Sequence, residues 1–300
     1  MSEELLKAIV QLFAIVAKER ISDEERGNIK EFLGQRLNQD ATRYYLSLFD
    51  DFCKANQRMA SAHLTNIDSE TAQFVDDWAQ IMQIAKKVNQ ALTMQQKAVL
   101  VAKIIELVVA DGFMSDREEN LIFYIGEALK FPPRDLKDLR SFVVGEDAQE
   151  LSSRNVLIID ESPDDPEVYH GPHIQSKNLS GLIAILRLPD MNVFFIRYLG
   201  ITPMFLNGIP LKSRKIDIFP TGSTIRGSKI EPVYYSDVTS KFLIEDQDTE
   251  ITFVAEHVFY HFKSGRAGLQ NINLAEKGGK LIGLMGASGS GKSTLLNVLN

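Results

Sequence analysis

Near the end of the chain, Gly286, Gly289 and Gly291 alternate with Ser288 and Ser290, and Lys292, Ser293 and Thr294 follow at once. Glycines at this density let a backbone fold tightly with its N–H groups turned inward, while a lysine and adjacent hydroxyls bring positive charge and metal-ligating oxygen. That combination suits a nucleotide polyphosphate with Mg²⁺. Residues 286–293 fit G-x-x-x-x-G-K-[ST], the P-loop pattern, in which Lys292 reaches the β and γ phosphates and the Ser293 hydroxyl ligates Mg²⁺. Ser288, Ser290 and Thr294 belong to the same cofactor-binding set as the three glycines. A Gly/Ser turn that binds nothing is the alternative.

Such a loop has to be held between a strand and a helix. Leu281, Ile282, Leu284 and Met285 are expected to form a buried strand before it, and Leu295, Leu296, Val298 and Leu299 a helix after it, beginning near Lys292 with its positive end toward the phosphates. After the motif there is no acidic residue ending a further apolar strand to hold the metal or polarise water. The chain is therefore expected to be the N-terminal part of a longer protein, continuing with a helix-stopping glycine. No catalytic residue is assigned within it, and by itself it is expected to be inactive and to bind ATP weakly or not at all.

The composition, 44% hydrophobic and 24% charged, is that of an ordinary globular chain long enough for two or three domains. A net charge of −7 gives no basic face for nucleic acid. Cys53, the single cysteine, excludes an intramolecular disulfide and reads as a packed thiol in a reducing compartment. Charged residues interrupt positions 1–20, so no signal-peptide core is present, and clean apolar runs such as 182–186 are far below the ~18 residues of a membrane span. Residues 1–300 are cytoplasmic in character.

Residues 1–145 read as all-α. Leu5, Leu6, Ile9, Val10, Leu12, Phe13 and Val16 recur at helical spacing, and Ser22-Asp23-Glu24-Glu25 forms a capping box before Ile29, Phe32 and Leu33. The arrangement returns 93 residues later: Ile104 to Val109, then Asp111-Gly112, then Ser115-Asp116-Arg117-Glu118 before Leu121, Ile122 and Ile125. Two helical hairpins frame the segment, with helices near 42–55 and 70–92 between them, a Thr93/Gln96 cap, and a last helix near 134–142 after Pro132-Pro133. At Val109-Ala110-Asp111-Gly112-x-x-Ser115-x-x-Glu118 the segment resembles the tellurite-resistance TerB family. The resemblance implies an all-α interaction or sensing domain, with divalent metal associated with acidic residues near the hairpin turns. Lys18 stands where the first repeat would match Asp111, so Asp111 is expected to be a turn residue and Glu118 a capping residue rather than ligands.

Residues 155–240 read as a β domain. Residues 145–153 are a polar connection and 160–172 an acidic, proline-bearing loop; His170 and His173 read as two exposed loop histidines. Apolar runs then alternate with turns: 182–188, 193–199, 205–206, Asn207-Gly208, 216–219, 224–225 and 233–235. The run Gly200-x-Thr202-x-x-Phe205-Leu206-Asn207-Gly208, with Gly222-Ser223-x-Ile225-x-Gly227, resembles a forkhead-associated (FHA) domain, a β-sandwich that recognises phosphothreonine. The arginine and loop expected to grip the phosphate are mostly missing, so a scaffold that has lost that role is expected.

Residues 241–300 begin with strands at 242–244 and 251–262, a turn at 263–266 and a returning strand at 269–274. The sequence L-x-N-I-N-L, then G-G-x-L-I-G-L-M-G-x-S-G-S-G-K-S-T-L-L, resembles an ATP-binding cassette (ABC) ATPase. The resemblance implies ATP and Mg²⁺ as cofactors, an aromatic stacking on adenine (Phe262, with Tyr260 as runner-up), a second ATPase domain, and a downstream transmembrane domain in an inner membrane. The expected whole is multidomain: an all-α domain at 1–145, an FHA-like sandwich at 155–240 and the truncated start of an α/β P-loop domain at 241–300. The function expected is the N-terminal region of a transporter subunit driven by ATP hydrolysis. The alternative is a non-transport regulatory ATPase or adapter whose first two domains bind a protein partner.

Overall fold

The computed structural model describes residues 2–17, 21–63, 69–110, 112, 114–151, 153–163, 171–245, 252–278 and 280–300. Lys18, Asp111 and His170 lie outside the described residues, as does the centre of the acidic loop. Residues 1–245 form one unit and residues 246–300 a second.

The helical layer comprises α1 (Glu3–Val16), α2 (Asp23–Gly34), α3 (Gln39–His63), α4 (Ser69–Ala91), α5 (Met94–Val108), α6 (Asp116–Ala128) and α7 (Pro133–Val144). Both repeated capping boxes form. The Glu25 amide donates to Ser22 Oγ at 3.1 Å while the Ser22 amide donates to the Glu25 carboxylate at 2.6 Å. In the second copy the Ser115 amide donates to Glu118 at 2.8 Å and the Glu118 amide reaches Ser115 Oγ at 3.4 Å. Each box satisfies amides that the first turn leaves without intrahelical partners. Ser22→Ala and Ser115→Ala are each expected to cost about 1 kcal/mol in urea denaturation, with no change in helix content.

Apolar residues cover α1 and α5 on nearly every side, which places both helices inside the layer rather than on its surface. Cys53 is buried on α3, and desolvation pushes its thiol up to about 12, so it is a core residue and no nucleophile at neutral pH.

A short helix, α8 (Ala148–Leu151), occupies the segment expected to be an irregular connection, because Leu151 is buried and pulls the chain against the core. Nine strands follow among the described residues: β1 (Val156–Asp160), β2 (His173–Gln175), β3 (Leu182–Leu188), β4 (Val193–Leu199), β5 (Met204–Leu206), β6 (Ile209–Pro210), β7 (Ile216–Ile218), β8 (Thr224–Gly227) and β9 (Val233–Tyr234). They form a mixed five-stranded sheet ordered β2-β1-β3-β4-β7, parallel only between β1 and β2, and an antiparallel four-stranded sheet ordered β6-β5-β8-β9. Turns are set locally. Asn192, at φ 49°, turns the chain from β3 into β4, and Asn207-Gly208, at φ 52° and 83°, closes the β5–β6 hairpin.

The five-stranded sheet is covered on both faces, and the period of two along its strands sorts the residues. Val156 and Ile158 of β1, Leu182, Ala184 and Leu186 of β3, and Phe195 of β4 pack into the helical core. Leu157, Ile159, Ile183, Ile185, Ile196 and Tyr198 pack the other way, against Met204, Leu206, Ile225 and Val233 of the second sheet. Continuous apolar runs such as Leu-Ile-Ala-Ile-Leu are what a strand buried on both sides requires.

Two buried charged groups cross from sheet to helices. Arg197 on β4 donates to the carbonyls of Phe142 (3.1 Å) and Gly145 at the end of α7, and to Glu146 at 3.2 Å. From α5, Glu106 accepts the Ile216 amide at 2.6 Å while Lys103 donates to the Ile216 carbonyl at 2.7 Å and to Glu106 at 2.7 Å. β7 is the end strand of its sheet, so this ion pair satisfies backbone groups that a sixth strand would otherwise take.

Two expectations are corrected in this unit. Residues 242–244 are not a strand: they end helix α9 (Tyr235–Glu245), because Val238 and Phe242, four residues apart, both pack into the core between the two sheets. His173 is not an exposed loop residue: it lies in β2 with its side chain 1% exposed, its Nε2 3.1 Å from Asp160 Oδ1. The parallel pairing of β2 with β1 carries it inward.

The second unit contains a hairpin, β10 (Thr252–His261) and β11 (Ala267–Lys277), and a helix, α10 (Lys292–Leu299). The expected strand at 281–285 is absent. Leu281 is 102% and Met285 97% exposed, since none of the described strands pairs with this stretch and an unpaired strand has no ladder to hold it. The second unit is thus a hairpin, a loop and a helix, and its described residues contain no parallel sheet.

Candidate phosphate-binding loop

The loop runs directly into α10. Gly289 and Gly291 adopt φ 81° and 90°, the left-handed region in which a side chain would be strained, and Gly291 is the residue that caps α10. The Ser290 amide donates to the Ala287 carbonyl at 3.2 Å, tightening the turn, and the Leu295 amide donates to the Gly291 carbonyl at 2.8 Å as the first helical bond. The amides of Lys292, Ser293 and Thr294 are therefore first-turn donors at the positive end of the helix.

Lys292 folds back over the loop that precedes it. Its ammonium donates to the carbonyls of Gly286 and Ala287, both at 2.8 Å, and lies 3.5 Å from Ser290 Oγ. A Cβ on Gly286 would come within 2.9 Å of Ser290 Oγ, so a side chain there would have to displace that hydroxyl. Positive charge, helix terminus and small residues converge on one spot, which fits a polyphosphate on the helix side of the loop. The strand side, with 281–285 unpaired, lacks the support expected of it.

The aromatic pair lies by the same stretch of β11. Tyr260 pairs in register with Leu269, and its ring meets that of Phe262 edge to face, with centroids 5.2 Å apart. A Cβ on Gly268 would fall 2.9 Å from both rings, and a Cβ on Gly291 would meet the Gly268 carbonyl at 3.3 Å. Gly268 is thus where rings and loop both approach the backbone. It was not singled out from sequence, although a glycine inside a strand pattern is a signal of close approach. Tyr260 and Phe262 are 38% and 42% exposed, which leaves ring surface for a planar ligand.

The other candidate residues separate from this site. Glu118 is a capping residue, as the sequence suggested. Among the described residues no group of three or more His, Cys, Asp or Glu is placed to hold a metal ion. No described helix is long and apolar enough to cross a membrane.

The architecture of the first unit is an all-α layer of two capped hairpins packed on mixed β-sheets. Residues 6–141, which span α1 to α7 apart from their outermost residues, match the family described as tellurite resistance protein TerB. The helical region is TerB-like, and a β-rich region follows it. No curated protein and no solved structure matches the chain significantly.

Proposed function

We propose that the second unit is the nucleotide-binding part of an ABC-type ATPase and takes Mg·ATP. The observation that carries this reading is Lys292, turned onto the Gly286 and Ala287 carbonyls in a glycine loop that opens a helix. Lys292 and the first amides of α10 hold the phosphates, Ser293 takes Mg²⁺, and the Tyr260/Phe262 pair offers the adenine a stacking surface, with Phe262 the first choice. Hydrolysis needs a carboxylate beyond these residues and a second ATPase domain. The TerB-like layer and the FHA-like pair of sheets regulate the ATPase by engaging a protein partner, and the hydrolysis drives transport through a membrane domain. An adapter or regulatory ATPase is the competing reading.

The test is a titration of Mg·ATP into the gene product at its natural length. Saturable binding, competed by ADP and not by AMP, is the expected result, because the site reads the β phosphate. Absence of binding would sink the proposal. Recovery of the gene product with membranes favours the transporter; recovery in the soluble fraction favours the adapter.

A further inference from the structure

The hairpin of the second unit carries two opposed irregularities between its base and its aromatic pair. From the base, β10 and β11 pair regularly as far as Ala255 with Leu274, but the next pairs are Val258 with Ile272 and then Tyr260 with Leu269. Glu256 and His257 therefore stand opposite Asn273 alone, and Gln270 and Asn271 opposite Phe259 alone: one extra residue on each strand, the second cancelling the first. Each bulge contains a residue in the left-handed region, His257 at φ 50° and Asn271 at φ 49°. The His257 amide donates to Asn273 Oδ1 at 2.9 Å, Asn273 Nδ2 to the Asn271 carbonyl at 3.1 Å, and His257 Nδ1 to Asn271 Oδ1 at 2.7 Å. These three side chains tie one bulge to the other across the strands.

The bulges decide which residues face the glycine loop. Cross-strand partners share a face, and so do residues two apart on one strand. Leu274 and Ile272 of β11 and Val258 and Tyr260 of β10 consequently line one face together with Ala255 and Leu269, the only two buried residues of the hairpin among those described. A Cβ on Gly291 would lie 3.7 Å from the Leu269 side chain, so this is the face the loop meets. Regular pairing carried on from Ala255 and Leu274 would turn Tyr260 and Leu269 to the opposite face and put Phe259 and Gln270 in their place.

We propose that His257, Asn271 and Asn273 are positioning residues of the nucleotide site: by holding the two bulges they bring Tyr260, and the Phe262 ring that packs on it, to the loop face, where the rings favour a nucleotide over bare polyphosphate. The inference rests on the nucleotide reading of the loop. The three residues act through the backbone of the hairpin rather than by touching the ligand.

Mg·ATP and Mg·tripolyphosphate are titrated into the gene product at its natural length and into its Asn271→Val and Asn271→Gly variants. Valine enters the left-handed region only at high cost, whereas glycine enters it freely. Asn271→Val is expected to bind ATP about tenfold more weakly, the size of a lost base–aromatic contact, and tripolyphosphate as before. Asn271→Gly is expected to bind both within about threefold of the unsubstituted protein. A valine variant that keeps its ATP affinity or loses both ligands alike, a glycine variant as weak as the valine one, or equal affinity of the unsubstituted protein for the two ligands overturns the proposal and leaves the loop assignment standing. An unsubstituted protein that binds neither ligand overturns the loop assignment, and this inference with it.

Discussion

Arg197→Met is expected to cost about 3–5 kcal/mol of folding stability, the largest effect of any single side chain outside the hydrophobic core. The Arg197 side chain is 3% exposed, and burial pulls its guanidinium pKa down despite the neighbouring Glu146. Methionine fills much of the same volume, and replacing a whole buried ion pair with apolar residues can be neutral. Here the partners stay behind. The carbonyls of Phe142 and Gly145 lose a charged donor in a place water does not reach, whereas Glu146 keeps Arg214 at 2.8 Å. Chemical denaturation checks this against Arg226→Met, an exposed arginine expected to change stability by less than about 0.5 kcal/mol. A loss below about 1 kcal/mol for Arg197→Met would mean that the helix end does not depend on this arginine.

Lys292→Ala is expected to lower Mg·ATP affinity at least about a hundredfold in the gene product at its natural length, a difference of about 2.7 kcal/mol. The ammonium contributes charge where the β and γ phosphates lie, and charge-assisted bonds are about twice as strong as neutral ones. Removing it should leave the fold unaffected. The side chain is exposed and its acceptors are carbonyls of an open loop, which water can satisfy. Loss of binding without loss of stability therefore separates a ligand-binding lysine from one that merely closes its own loop. Nucleotide fluorescence anisotropy supplies the first measurement and a melting curve the second.

Features that depend on neighbours in the chain were legible in the sequence. Ser22 with Glu25 and Ser115 with Glu118 announce helix starts because every partner in a capping box lies within three residues. The Asn207-Gly208 turn is legible for the same reason: its backbone needs residues that tolerate positive φ. Features that depend on distant partners were not. β1 went unread, and the doubly covered sheet with it, because its second face is supplied by helices that precede it in the chain. Phe242 and Val238 fit a short apolar run equally well as strand or helix, and only the core they enter decides.

Arg197 and Glu106 were also passed over, since their partners are about 50 and 110 positions away. A signal was present in each case: one charge on the inward face of an otherwise apolar strand, and one inside Ile-Ile-Glu-Leu-Val. A charge that is buried without a partner is costly enough to be rare, so such an interruption marks a buried polar junction. The helix that follows the glycine loop was legible, beginning at Lys292 where the sequence placed it. The strand expected before that loop was not, because an apolar stretch becomes a strand only when another strand pairs with it, and none of those described does.

The most direct test of the nucleotide site is photolabelling of the natural-length gene product with 8-azido-ATP, followed by peptide mapping. Label is expected on the peptide that carries Tyr260 and Phe262, protected by excess Mg·ATP and missing from Lys292→Ala. Label confined to other peptides, or undiminished by the Lys292 substitution, would contradict the assignment of the loop and the aromatic pair to one ATP site.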